Sequence, residues 1–331
     1  MSIQNAEVVK DNTLSSEYQA ESEERGSPRL TVRGHILSEI LKNARRWRNG
    51  YQSPESKAKK FGSVYDCLLL TPMHWPKLYA VLPEDAPKRP SSRQRDAKKP
   101  SPATLEAIDW WDDFLAEHPG EVIDQKVNAA VHGAIAALRK DEMIAELIDH
   151  SKHQVWLKAE WKDGPTGLVV PIKALVDVVP SSQHPLFGES LWDVKTTMNA
   201  GQRSFAGDAY KYGYHRAAAL YLDLWNAAMG ENRIQFGHII QENFPPFELR
   251  TPPPYLSQRA VMLGRLEYEM ALGVYCRALQ TGEWPSYDRK SKEWPITEFP
   301  DWCYSVDNVF DDIEEDTEPE AEEETEPDLT P

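Results

Sequence analysis

Residues 191–197 read LWDVKTT, an aspartate and a lysine two positions apart inside an otherwise apolar, β-forming segment. Side chains alternate along a strand, so Leu191, Asp193 and Lys195 share one side while Trp192, Val194 and Thr196 share the other. A second acid, Asp177, interrupts the apolar run LVVPIKALVDVV. If residues 169–179 pair antiparallel with 190–197 across the turn at 181–189, Asp177 lies beside Asp193. Two carboxylates held together in a partly buried place repel, and one of them takes up a proton unless a cation neutralises the pair. A hard divalent ion does this with one or two carboxylates, waters and a phosphate, so Mg²⁺ is the expected cofactor, with Mn²⁺ able to substitute. Each charge taken singly also fits a solvated strand edge or a turn. Both runs are apolar on either side of the charges, as in central strands, where an unpaired charge is costly.

The elements that must hold these residues follow from periodicity. QVWLKAEW alternates, KDGPTG is a turn and LVVPIKALVDVV is β-branched, which predicts a hairpin followed by the LWDVKTT strand. GDAYKYGYHRAAALYLDLWNAAMG is helical up to Gly230. RIQFGHIIQE and FELRT read as two more strands, and SQRAVMLGRLEYEMALGVYCRALQTG as a long closing helix. Upstream, helices are expected in GHILSEILKNARRWRNG, KFGSVYDCLLLTP, ATLEAIDWWDDFLAEHP and KVNAAVHGAIAALRKDEMIAELIDH, the last broken near Lys140. This order predicts an α/β domain with a mixed central sheet flanked by helices, over residues 29–306. Residues 1–28 read as a disordered leader, 83–102 as a basic Pro-rich loop and 307–331 as an acidic disordered tail.

Composition narrows the setting. The formal charge is −16, but residues 311–331 carry 12 acids and no base, so the remainder stands at −4. Cys67, Cys276 and Cys303 have no CxxC spacing, which argues against a zinc or disulfide framework and suits a reducing cytoplasm. No apolar run is long enough to cross a membrane, and no secretory signal is evident.

The D, then D-x-K order on consecutive strands resembles the PD-(D/E)XK nuclease superfamily, whose core is restriction-endonuclease-like. GSVYDCLLLTP, WKDGPTGLVVPIKALVD, LWDVKTT, YKYGYHRAAALY and TGEWPSYDRKSKEWPITEFPDW, in that order, look like the RecE-type (exodeoxyribonuclease VIII) family of phage recombination, over about residues 30–304. The resemblance implies a metal-dependent exonuclease acting on the ends of linear double-stranded DNA. It implies Asp177 and Asp193 as metal ligands with the Val194 carbonyl a third, and Lys195 orienting or deprotonating water and stabilising charge on the phosphate. It also implies Asp66 as a ligand where the family carries histidine, and Tyr221 as a retained position of the helix motif Y-H-x-Q-x-x-x-Y. From the resemblance alone come 5′ to 3′ polarity, a homo-oligomer, tetrameric in the family's manner, and a single-strand annealing partner.

Two departures bear on activity: Asp66 replaces that histidine and Ala217 replaces the motif glutamine. A further acid expected near the first hairpin strand has no match; Gln154 is near that place. Candidate phosphate contacts are His215 with Arg216, Lys211, Arg93 and Arg95 in the basic loop, and Arg45, Arg46 and Arg48. Tyr214 and Tyr221 also fit core packing by their helical spacing. An alternative reading is a catalytically weakened DNA-end-binding or regulatory protein on the same fold.

Overall fold

Apolar alternation from residue 151 onward builds the sheet on which everything else is hung. The computed structural model describes residues 3–287 apart from 21–23, 53 and 55. In chain order the elements are β1 (Ile3–Lys10), α1 (Ser15–Ala20), α2 (Gly34–Arg48), α3 (Lys57–Leu70), α4 (Trp75–Leu78), β2 (Tyr79–Val81), α5 (Ser92–Arg95), α6 (Pro102–Glu117) and β3 (Glu121–Ile123). There follow α7 (Gln125–Leu138), α8 (Glu142–Asp149), β4 (Ser151–Lys162), β5 (Val169–Pro180), β6 (Ser190–Thr197), α9 (Gln202–Tyr212), α10 (Tyr214–Met229), β7 (Gln235–Glu242) and α11 (Gln258–Thr281).

The main sheet has the order β1-β4-β5-β6-β7; the first three pairings are antiparallel and β6 pairs with β7 in parallel. A parallel pair needs a crossover, which α9 and α10 supply. One apolar layer joins β4 and β5 to α2, α10 and α11 through residues such as Ile40, Leu157, Ile172, Leu220 and Leu272. The other joins Trp192, Val194 and Ile239 to α3, α7 and α8 through Val64, Val131 and Ile144. The sheet is therefore covered on both faces, which is why its strands read as nearly continuous apolar runs. Where α10 crosses α11, Gly264 lets the backbones meet: a Cβ there would stand 2.0 Å from the His215 carbonyl oxygen. Gly213, at φ +75°, turns the chain from α9 into α10 and so sets the start of the helix that overlies Lys195.

Three expectations are corrected. Residues 1–28 are not a featureless leader: Ile3–Lys10 is an edge strand on β4, and Tyr18 of α1 is buried. FELRT forms no strand; it contributes a single bridge, Leu249 to Gln241. The 83–102 segment contains the short helix α5, opened by a capping box between Ser91 and Gln94. The break expected near Lys140 is present between α7 and α8. Cys67 and Cys276 are buried and free. The proposed domain end at 306, the 307–331 tail and Cys303 lie outside the described residues. No helix among the described residues is long and apolar enough to cross a membrane.

Candidate active site

The antiparallel pairing of β5 with β6 sets Val178 opposite Trp192, so Asp177 and Asp193 flank that pair, one on each strand. Beside that pair it is the Asp177 side chain, not a backbone group, that meets β6. Its Oδ2 accepts the Val194 backbone N–H at 2.9 Å, and its Oδ1 accepts from the Gln154 amide at 3.0 Å. Inside–outside alternation also slips at this point: Val176 and Val179 pack in one layer and Val178 in the other. Across the site, Lys195 Nζ forms an ion pair with Asp193 Oδ2 and donates to the Val194 carbonyl at 3.1 Å. Its ammonium lies 5.2 Å from the Tyr214 ring centroid.

Asp66, Asp177, Asp193 and Tyr221 line one cavity of about 530 Å³, together with Gln154, Ser63, Tyr79 and the N-terminal residues Thr13, Leu14, Tyr18 and Gln19. Burial, and then the neighbouring Asp193 charge, push the Asp177 carboxyl well above its ordinary range; protonated, it hydrogen-bonds Asp193. Burial pushes Asp193 up as well, but Lys195 and the Asp177 hydrogen bond outweigh it and hold Asp193 below its ordinary value. Burial alone would lower Lys195; Asp193 and Asp177 reverse that and keep it a cation. Asp66 is pushed up to about 7, by burial first and with Lys195 opposing. Tyr221 is held neutral by burial while its ring meets Phe236 at 6.1 Å, so it combines a core role with a place in the cavity wall.

The donors available here are carboxylate and carbonyl oxygens, the set a hard cation selects. A cation between Asp177 and Asp193 would relieve the repulsion that pushes the Asp177 carboxyl up. The fit is that of an ion completed by water and phosphate, not of an all-protein cage. Among the described residues no group of three His, Cys, Asp or Glu side chains is close enough to hold a metal. Asp66 shares the cavity without joining such a group.

The expected DNA contacts are dispersed. His215 is buried and its Nε2 lies 3.0 Å from Glu267 Oε2, and Arg216 ion-pairs with the same carboxylate. Both are thus engaged by α11, and His215 opens on a different cavity. Arg95 pairs with Asp112 at 2.7 Å, Arg46 lies 3.6 Å from Glu39, and Arg48 lies 3.7 Å from Glu24. Arg45 donates to the Trp284 carbonyl at 3.3 Å. Arg93, Lys98, Lys99 and Lys211 are exposed, Lys211 over the Tyr212 ring.

Sequence reasoning undervalued two groups. Gln154 is buried in mid-strand at φ +46°, a left-handed conformation that side chains other than Asn, Asp and Gly rarely adopt, and it holds Asp177. His238 is the β7 partner of Asp193 and is pushed down to about 4 by burial. Only its position in an apolar strand, GHII, could have signalled it.

Comparison with protein families and with curated proteins returns no match. Among solved structures, one from Eubacterium rectale, described as a "Putative exonuclease", aligns with 89% of this chain and 98% of its own at 12% identity and a TM-score of 0.51. A second, SSO0001, aligns with 71% of this chain and 83% of its own at 11% identity and a TM-score of 0.26, too low to carry an argument. The first shows a shared α/β fold.

Proposed function

We propose that the chain is a metal-dependent deoxyribonuclease with the PD-(D/E)XK core of RecE-type exonucleases, hydrolysing phosphodiester bonds of linear double-stranded DNA from its ends. The observation that carries this reading is the meeting of Asp177 and Asp193 across β5 and β6, with Lys195 closed on Asp193. The fold likeness to the Eubacterium rectale structure agrees with it.

In this reading the scissile phosphate enters the cavity between Asp66 and the two strand carboxylates. Gln154 and the Val194 N–H hold Asp177 by both oxygens, so its orientation does not change as substrate arrives. Lys195, kept cationic by its acidic neighbours, meets the negative charge that grows on the phosphate oxygens. Mg²⁺ bound by Asp177, Asp193 and the Val194 carbonyl would supply an activated water and further charge neutralisation. Resemblance extends the proposal to 5′ to 3′ resection, a tetramer and a single-strand annealing partner.

The test is incubation of linear and covalently closed duplexes of one sequence with Mg²⁺. Progressive loss of the linear form alone is expected; equal loss of both contradicts an end-dependent enzyme. A second reading, a weakened nuclease that binds DNA ends, is favoured by Asp66 and Ala217 and by the lack of a three-ligand group among the described residues. It predicts end binding with no loss of either form.

A further inference from the structure

Asp193 pairs with His238 in the parallel register of β6 and β7, so the two side chains leave the same face of the sheet on strands about 4.8 Å apart. The hydrolytic cavity lies on the β5 side of Asp193. On the β7 side lies another, of about 370 Å³, which the proposed hydrolysis does not use. A thin layer separates it from Lys195: the ammonium sits over Tyr214, and Tyr214 meets His238 at 5.7 Å between ring centroids.

This second cavity is lined by aromatic rings together with the polar side chains of Gln202, His215, His238, Arg250 and Ser257. Phe205, Tyr210 and Tyr255 form its walls, and Tyr255 is held against Trp192 at 4.8 Å between centroids. Arg250 is fixed at the lining by donating to the Ala200 carbonyl and to Gln202 Oε1, both at 3.2 Å. His238 lines the cavity at 1% exposure, and its Nε2 has no hydrogen-bond partner among the described residues. A buried polar nitrogen left in that state is destabilising unless something meets it.

We propose that this cavity is a subsite for an unpaired nucleobase of the DNA end, next to the phosphate held at Asp177 and Asp193; the inference rests on the nuclease reading. A base offers a flat π-face to Tyr255 and Phe205. Its edge carries both donors and acceptors, so either tautomer of the neutral His238 ring finds a match. The volume admits a base with its sugar. The subsite makes the enzyme select a frayed end, because the terminal base must leave its partner to enter.

The test uses the full chain with Ca²⁺ in place of Mg²⁺ to slow turnover, and two duplexes that differ only in a normal or an abasic terminal nucleotide. Their dissociation constants are measured by fluorescence anisotropy. The normal end is expected to bind about 5- to 150-fold more tightly, the range of one stacked base. Tyr255→Ala is expected to bring the normal end to the abasic affinity and to leave the abasic affinity unchanged, while Tyr255→Phe keeps the difference. Equal affinities in the wild type, equal loss on both duplexes in Tyr255→Ala, or no binding to either duplex overturns the subsite. Degradation in Mg²⁺, measured in parallel, separates the two claims. Degradation without base discrimination removes the subsite alone, and discrimination without degradation removes the nuclease reading and leaves a base-reading end binder.

Discussion

Lys195 lies against Asp193 and holds its carboxyl below the ordinary range, while burial and the Asp193 charge push the Asp177 carboxyl well above it. Asp66 feels the same pressure. Its carboxyl, pushed up to about 7 in the folded chain against an ordinary 3.8, binds protons more tightly folded than unfolded. Its contribution to stability is therefore complete below about pH 4 and is lost as pH rises through about 7. In metal-free protein, Asp66→Asn is expected to raise the thermal midpoint above wild type at about pH 8, with the two converging near pH 4. Parallel curves at all pH values contradict the assignment. Gln154→Ala removes the amide from Asp177 Oδ1. A lost hydrogen bond predicts about 1 kcal/mol of destabilisation. Turnover is expected to fall about tenfold, as one group's placement slackens, and unchanged kinetics would show that the Val194 N–H alone orients Asp177.

Strands that carry the charges were legible at the scale of elements. The hairpin, LWDVKTT and the antiparallel meeting of Asp177 with Asp193 follow from alternation and one turn. The edge strand was not, because Ile3–Lys10 shows six exposed positions out of eight and is held by backbone pairing that leaves no apolar period to read. Nor was the left-handed backbone at Gln154, which belongs to the facing strand rather than to local propensity. His215 and Arg216 illustrate the opposite error. Basic residues beside a motif suggested phosphate contacts, yet Glu267, some 50 residues away in sequence, takes both. Deleting residues 1–11 is expected to lower thermal stability and turnover together, since it removes an edge strand and unmoors the cavity wall at Thr13–Gln19. Full activity in the shortened chain contradicts that link. Between α10 and α11, Asp223 accepts from Arg265 at 2.6 and 2.7 Å and from the Tyr268 hydroxyl at 2.6 Å. Asp223→Ala, which leaves the Tyr268 hydroxyl unmet while water reaches the part-exposed Arg265, is expected to cost about 1–3 kcal/mol in chemical denaturation; a change below about 0.5 kcal/mol would show that the clamp is dispensable.

Charge over the whole molecule opposes DNA, and most of that opposition is at one end. Residues 311–331 hold 12 of the acids behind the net −16. Removing them is expected to tighten DNA binding at low salt and to have little effect at about 0.5 M, where screening shortens the reach of charge. An effect that persists at high salt would point to a direct contact instead. The central claim concerns Asp193 and Lys195 acting together on DNA. It is tested most directly by the rate of linear duplex degradation in Mg²⁺ by wild type and by Lys195→Ala, with folding checked by circular dichroism. The account predicts degradation that chelation abolishes and a loss of at least about 10²–10³-fold in the folded variant; a folded Lys195→Ala that degrades DNA at the wild-type rate contradicts it.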